Sequence, residues 1–272
     1  MNENKAKRLY NEQNIKRIQN VSGIALTLIL WYVLSNFTSI PDLYLPSPQE
    51  IVQCFIKYSK DIPRHITSSL HRIVVGFFVG SAIGIIMGLF IGWNKNVRNI
   101  LEPLVEFIRP MPPLALIPLF ILWFGIGDKS KIIVIAFGAW VVLVVNTIEA
   151  VRNVDPLYLD AARSLGANTW DVFRTVLIPA ITPDIIAGIR VVAANSFGMC
   201  VAAEFMGTAT GFGYLIIEGR RFIKTDLLLV GVLLITICSM LANMLIRLIE
   251  KRLTRWVRSV YKELHADRET GC

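Results

Sequence analysis

Asp160-Ala-Ala-Arg-Ser-Leu-Gly166-Ala-Asn-Thr-Trp170-Asp-Val-Phe173-Arg-Thr-Val-Leu-Ile-Pro179 is a polar stretch set between two long apolar runs, 132–149 and 185–206. Its punctuation predicts two short helices. Asp155-Pro156, just upstream, supplies an N-cap and a first-turn proline, and Gly166 supplies a left-handed stop. Asn168, with Asp171 three residues on, caps a second helix that ends before Pro179, and Thr182-Pro183 then caps the next apolar run. The stretch therefore leaves an apolar layer and returns to it. The nature of that layer decides the fold.

Of the 272 residues, 54% are hydrophobic and only 18% charged, more apolar surface than a soluble core of this size buries. The apolar residues fall into six runs, 21–37, 73–93, 111–125, 132–149, 185–206 and 226–249. Most are close to the roughly 17 to 25 residues that cross a bilayer as helix. The third is short and carries Pro112, Pro113 and Pro118. The expected fold class is an all-α polytopic membrane protein with six transmembrane helices.

Basic residues orient it. Lys5, Lys7, Arg8, Lys16 and Arg17 precede the first run, and Lys251, Arg252, Arg255, Arg258, Lys262 and Arg268 follow the last. Lys and Arg gather on the cytoplasmic side, so both termini are expected there, with an even number of crossings. The chain divides into a basic tail (1–20), a transmembrane domain (21–253) that includes the polar loop (155–180), and a second basic tail (254–272). Six crossings put the loop in the cytoplasm. The net charge of +8 flanks spans rather than lining a soluble face, which points to lipid head groups and away from nucleic acid. Cys54, Cys200, Cys238 and Cys272 have neither metal spacing nor pairing logic, so no metal and no disulfide framework is expected. The first run follows a basic tail as a signal peptide does, but it is long and lacks a small-x-small cleavage site, and reads as an uncleaved helix.

Gly76, Gly80, Gly84, Gly88 and Gly92 repeat every four residues in the second run. That spacing keeps them on one helix face, where another helix can approach closely. In the third run Arg109-Pro-Met-Pro-Pro113 through Pro118 breaks regular helix, and its freed backbone groups must be met by protein or water. It is either a kinked entry to a span or a wall of a pathway. Gly125-Ile-Gly-Asp-Lys-Ser-Lys131 lacks the spacing and the strand-to-helix context of a phosphate loop. A short amphipathic helix is expected at 49–58, after the extended Pro41 to Pro48 segment.

Ionisable residues within spans are costly and invite functional readings. Arg109, Arg190, Asn195 and Glu204 are the candidate translocation-path residues. Arg190 either snorkels or lines the path, and Glu204, near the outer end, caps or gates. An anion path would favour Arg72, Arg109 and Arg190. An ion-coupled carrier or channel would need acidic relays or inverted repeats, and a membrane enzyme would need clustered His, Asp or Glu, whereas His65, His71 and His265 are isolated.

In the polar loop, Tyr158, Ala161, Ala162 and Leu165 share one face with a small centre, and Trp170, Phe173 and Leu177 share another. At these residues the chain resembles the permease subunits of ATP-binding-cassette importers. Their cytoplasmic motif is Glu-Ala-Ala, three residues, Gly, nine residues, then hydrophobic-x-hydrophobic-Pro. Here it stands as Asp160-Ala161-Ala162, Gly166 and Val176-Leu177-Ile178-Pro179, with Asp160 where glutamate is usual. Leu45-Pro-Ser-Pro48, the Arg109–Pro118 stretch, Leu122-Trp-Phe-Gly-Ile-Gly127, Asn146-Thr147, Ala202-Ala-Glu204, Gly211-Phe-Gly213 and Thr225-Asp226 are similar to the nitrate, taurine and aliphatic sulfonate subgroup.

The resemblance implies a multi-pass cell-membrane permease that is not itself an enzyme. It implies a homodimer of permease subunits, two ATPase subunits below and an extracytoplasmic substrate-binding protein above. ATP-Mg would be bound by the partner, since this chain has no complete Walker motif and no cofactor of its own. Asp160, Ala161, Ala162, Leu165, Gly166, Phe173 and Pro179 would couple to the ATPase. The implied cargo is a small anion such as a sulfonate, taurine or nitrate; vitamin precursors and bicarbonate are the alternatives within the subgroup.

Overall fold

A computed structural model describes residues 22–253, apart from 24, 28, 39, 40 and 42. The tail residues used to orient the chain, except Lys251 and Arg252, lie outside the described residues. Every regular element among the described residues is helical. The chain divides into two compact units, 1–60 with 216–230 and 61–215 with 231–272.

In the smaller unit, α1 (Ala25–Phe37) is apolar but short. Ser47 opens α2 (Pro48–Lys57) with a capping box: its hydroxyl accepts from Glu50 N at 3.3 Å, and its own N–H donates to Glu50 Oε2 at 2.9 Å. The helix is amphipathic and buries Ile51 and Cys54. Thr225 Oγ1 donates to Leu43 O in the same unit.

The larger unit is built on α3 (Ile62–Trp93) and α6 (Asp128–Arg152). The glycines of α3 face α6 along its length. A Cβ at Gly76 would stand 2.7 Å from Ile135 Cβ, one at Gly92 2.8 Å from Val151 Cβ, and one at Gly80 would meet the Ala136 backbone itself. Only a missing side chain lets the backbones come this close. Between these helices, α4 (Lys95–Ile108), a 3₁₀ turn (Pro113–Leu116) and α5 (Ile117–Phe124) form a pair bent by 82°. The prolines place the break, since Pro112 is extended and Pro113 starts the turn.

After α7 (Pro156–Ser164) comes one helical course from 169 to 205, made of α8 (Thr169–Asp171), a π turn (Val172–Leu177) and α9 (Ile178–Phe205). This corrects two sequence readings. The helix does not stop before Pro179, because the wider turn has Ile178 N donating to Phe173 O, five residues back, and carries the chain on. Thr182 does not cap a new helix at Pro183: its hydroxyl bonds Ile178 O at 2.6 Å and Pro183 lies inside α9. Ile73, Ile135, Phe197 and Cys200 join α3, α6 and α9 in one buried cluster. Helices α10 (Phe212–Arg221) and α11 (Thr225–Leu253) complete the described chain.

Four of these helices are long and apolar enough to cross a membrane, or five if the bent pair counts as one broken span. Phe78, Phe90, Ile237 and Leu241 are among the large apolar side chains that the chain leaves uncovered, as hydrocarbon contact allows.

Candidate functional site

In the polar loop α7 is followed, across a short turn, by α8. Asp155 Oδ1 accepts from Leu157 N at 2.9 Å and Pro156 occupies the first turn of α7. The helix ends at Gly166, whose φ of +87° admits few other residues, and Ala167 N returns to Ala162 O at 3.1 Å. Asn168 Oδ1 then accepts from Trp170 N and Asp171 N, each at 2.9 Å, while Asn168 N donates to Asp171 Oδ2. With its ends satisfied locally, α7 needs no packing to close its hydrogen bonds, and it buries no residue.

α7 and its C-cap expose apolar side chains among the polar ones. Leu165 is 90% exposed, and Leu157 and Tyr158 are exposed as well. Asp160 and Ala161 are exposed, Ala162 is half-buried, and among the described residues the Asp160 carboxylate meets Arg163, at 3.4 Å. The neighbouring segment is anchored instead: Phe173 stacks on Trp170 at 5.6 Å between ring centroids and meets Trp93 edge-on at 5.4 Å. Pro179 stands at the start of α9, beyond the π turn. α7 is thus a capped helix that, with its C-cap, leaves two leucines uncovered.

At the opposite ends of α6 and α9 lies a buried ion network. Arg72, 3% exposed, donates from Nη1 to Glu204 Oε1 at 2.6 Å and to Thr210 O at 2.8 Å, from Nε to Asp128 Oδ1 at 2.7 Å, and from Nη2 to Thr210 Oγ1 at 3.1 Å. Glu204 also accepts from Ser69 Oγ at 2.7 Å and, through Oε2, from Gly213 N at 2.7 Å. Ser69 Oγ in turn accepts from Phe212 N at 2.9 Å, and His65 Nδ1 from Gly211 N at 3.1 Å. Buried Lys131 folds back onto Gly127 O at 2.9 Å. The 208–213 segment is thus pinned to α3 by its own backbone. Glycine is required at 211 twice over, for its φ of +126° and because a Cβ there would strike the Glu204 carboxylate.

The candidate path residues fall into separate settings. Glu204 belongs to the buried network. Arg190 meets Glu250 at 3.4 Å, and Asn195 is exposed on α9. Arg109 pairs with Glu106 at 3.5 Å and Glu149 at 3.6 Å, beside an open cleft with Asn146 and Gly188. Gly76, Gly80, Gly84, Gly88 and Gly92 line the α3–α6 contact. Sequence reasoning missed Asp128 and Thr210 as partners of Arg72. The available signal was the polar first turns of α3 and the glycine-rich 207–213 segment, but neither names its counterpart.

Comparison with known proteins places this architecture. Residues 80–259 match the family model described as binding-protein-dependent transport system inner membrane component. The taurine transport system permease protein TauC of Escherichia coli (strain K12) is 31% identical over 244 residues, covering 87% of this chain and 89% of TauC. A protein of Bacillus subtilis (strain 168) named as an aliphatic sulfonates transport permease, SsuC, is 32% identical over 237 residues, 86% of each chain. Among solved structures, an amino acid ABC transporter crystallised with histidines covers 73% of this chain and 98% of its own, with TM-score 0.59 and 20% identity. A bacterial ABC transporter that imports alginate covers 91% and 99%, with TM-score 0.58 and 16% identity. The two structures share the fold; the family model and the relatives carry the assignment. The chain belongs to the binding-protein-dependent transport system inner membrane components.

Proposed function

We propose that this chain is the membrane-spanning permease subunit of an ATP-driven importer for small organic sulfonates, taurine among them. The substrate class is carried over from TauC and SsuC, whose lengths the chain matches almost throughout. In this reading α1 and the bent pair complete six crossings with both termini in the cytoplasm. The α7–α8 hairpin then lies on the cytoplasmic side and the Arg72–Glu204 network on the outer side.

The observation that carries the reading is the uncovered apolar set of Leu157 and Tyr158 on α7 and Leu165 at its C-cap. Asp160, Ala161, Ala162, Leu165 and Gly166 form the surface that seats in a cleft of the ATPase, while Phe173 and Pro179 root it to α9. Two copies of the permease stand on two ATPase subunits, which bind ATP-Mg and hydrolyse it. Closure of the ATPase pair moves the hairpin, and the course from 169 to 205 passes that motion to the far end of α9. The bundle rocks between two states, each favoured by a different set of contacts. A soluble binding protein delivers cargo on the outer side.

The test is uptake of radiolabelled taurine and ethanesulfonate into proteoliposomes holding the permease, its ATPase and its binding protein. ATP-dependent accumulation is expected. An intact complex whose binding protein ignores sulfonates, and which accumulates none, overturns the substrate assignment. Leu165→Asp is expected to release the ATPase during purification while leaving the permease in the membrane; full retention of the ATPase removes α7 as the contact.

A further inference from the structure

A cleft of the larger unit carries a second chemical pattern. It has a volume of about 810 Å³ and runs between α9 and α11, with Ala194 and Gly198 keeping its α9 wall shallow. On α11 it is lined by Thr236, Ser239, Asn243 and Arg247. These stand at intervals of three, four and four residues, which returns them to one helix face. Ser239 lies about 21 Å along the helix from Thr225 and Arg247 about 33 Å, so the polar row runs from mid-span to one membrane surface.

Such a row is expensive in hydrocarbon unless its groups find partners. Thr236 satisfies its own proton on Val232 O at 2.7 Å. Ser239 and Asn243 are half-buried, and among the described residues neither side chain has a hydrogen-bond partner. Arg247 has no ion pair among the described residues, whereas Glu250, one turn on, is engaged by Arg190 at 3.4 Å. No carboxylate lines the cleft. The polar side is therefore rich in donors and positive, which selects an anion. The apolar side is Phe197, Met240 and Met244, and methionine thioethers adapt to alkyl groups of varied shape.

We infer that this cleft is a transit site for an organosulfonate. Its tetrahedral anionic head accepts from Ser239, Asn243 and Arg247, and its carbon chain lies against Phe197 and the two methionines. The inference rests on the importer reading above, and it assigns the passage to a row on α11 rather than to Arg109, Arg190, Asn195 or Glu204.

The experiment uses the full permease in its complex with the ATPase, reconstituted in vesicles, with Asn243→Cys or Ser239→Cys. Each is exposed to sulfonatoethyl methanethiosulfonate, itself an ethanesulfonate, or to the cationic trimethylammonioethyl reagent, and modification is mapped by peptide mass spectrometry. Cys54 and Cys200, both buried, serve as internal references. The anionic reagent is expected to react at least about tenfold faster, and excess taurine or ethanesulfonate to slow it, because the local field concentrates anions. Adding Arg247→Gln is expected to bring the two rates together.

Equal rates without Arg247→Gln, no reaction at either position, or no protection by sulfonates overturns the proposal. So does rapid disulfide formation between two copies at position 243, which would mean that a helix of a second copy fills the cleft. Protection by phosphatidylglycerol but not by sulfonates would assign the row to a lipid head group and also overturn it. Ligand titration of the binding protein separates the two levels: if it takes sulfonates while the cleft shows no anion preference, only the cleft assignment is lost.

Discussion

Arg72 Nη1 and Glu204 Oε1 stand 2.6 Å apart, neither side chain is more than 3% exposed, and the residues are separated by 132 positions in sequence. An ion pair this deep is held by the groups around it as much as by its own attraction. Asp128, Thr210, Ser69 and the Gly213 amide supply those groups. Removing Glu204 still leaves Arg72 paired with the exposed Asp128, but removing Arg72 leaves Glu204 buried without its cation, and replacing both takes the two buried charges away together. Arg72→Met should therefore destabilise the chain by about 3 to 5 kcal/mol, while Arg72→Met with Glu204→Leu should cost less than Arg72→Met alone. Thermal unfolding of the purified permease in detergent reads the difference; a double variant that melts below Arg72→Met contradicts this account.

Within the glycine row of α3 the positions are not equivalent. An added methyl at Gly80 meets the Ala136 backbone, which cannot move aside, whereas at Gly84 it stands 3.0 Å from Leu143 Cβ and the Trp140 carbonyl. Gly80→Ala should lower stability by about 1 to 3 kcal/mol, the cost of overpacking, and Gly84→Ala by clearly less. Size-exclusion profiles after graded heating give the ranking.

Gly166 has open space around it, so its constraint is its backbone alone. Valine there should cost about 1 to 2 kcal/mol of local strain and reorient the hairpin, while asparagine, which tolerates positive φ, should be accepted. ATP-driven uptake is expected to fall sharply in Gly166→Val and to persist in Gly166→Asn, with both inserting normally in the membrane. Equal uptake by the two variants would show that the turn geometry does not matter.

Cys54 tests the small unit. Burial first, and the Asp226 carboxylate second, push its thiol from 9.0 up to about 12. The folded chain holds this proton more tightly than the unfolded one. Its contribution to stability is therefore complete below pH 9 and is lost as pH rises toward 12. Because the thiolate is the reactive form, iodoacetamide at pH 8 should label Cys54 far more slowly than an unfolded control, and Asp226→Asn should speed the labelling. Labelling at the control rate in the native chain would show that the site is open.

The legible parts of this fold are those whose cause is local. Asp155, Gly166, Asn168 and Asp171 set helix ends through bonds to their own neighbours, and the capping box of α2 is of the same kind. The α3 glycines are legible because a four-residue spacing has one geometric meaning. The pairing of Arg72 with Glu204 is not local, and nothing in either segment names the other. Pro179 misleads for a related reason: a proline forbids one hydrogen bond, but whether the chain stops or widens its turn depends on what the following helix gains by packing. Leu177 and Ile181, both buried against Ala150 and Val151, supply that gain.

The π turn at 172–177 has a geometric effect that reaches both ends of the course it interrupts. Inserting one residue into a helix turns everything beyond it by about 100° relative to what precedes it. Phe173, within the turn, meets Trp93 edge-on, and both pack against the cluster that holds Leu177 and Ile181 from the far side of the turn. The turn acts as a phase shifter, resetting which residues of α9 come round to the cluster that already holds Phe173.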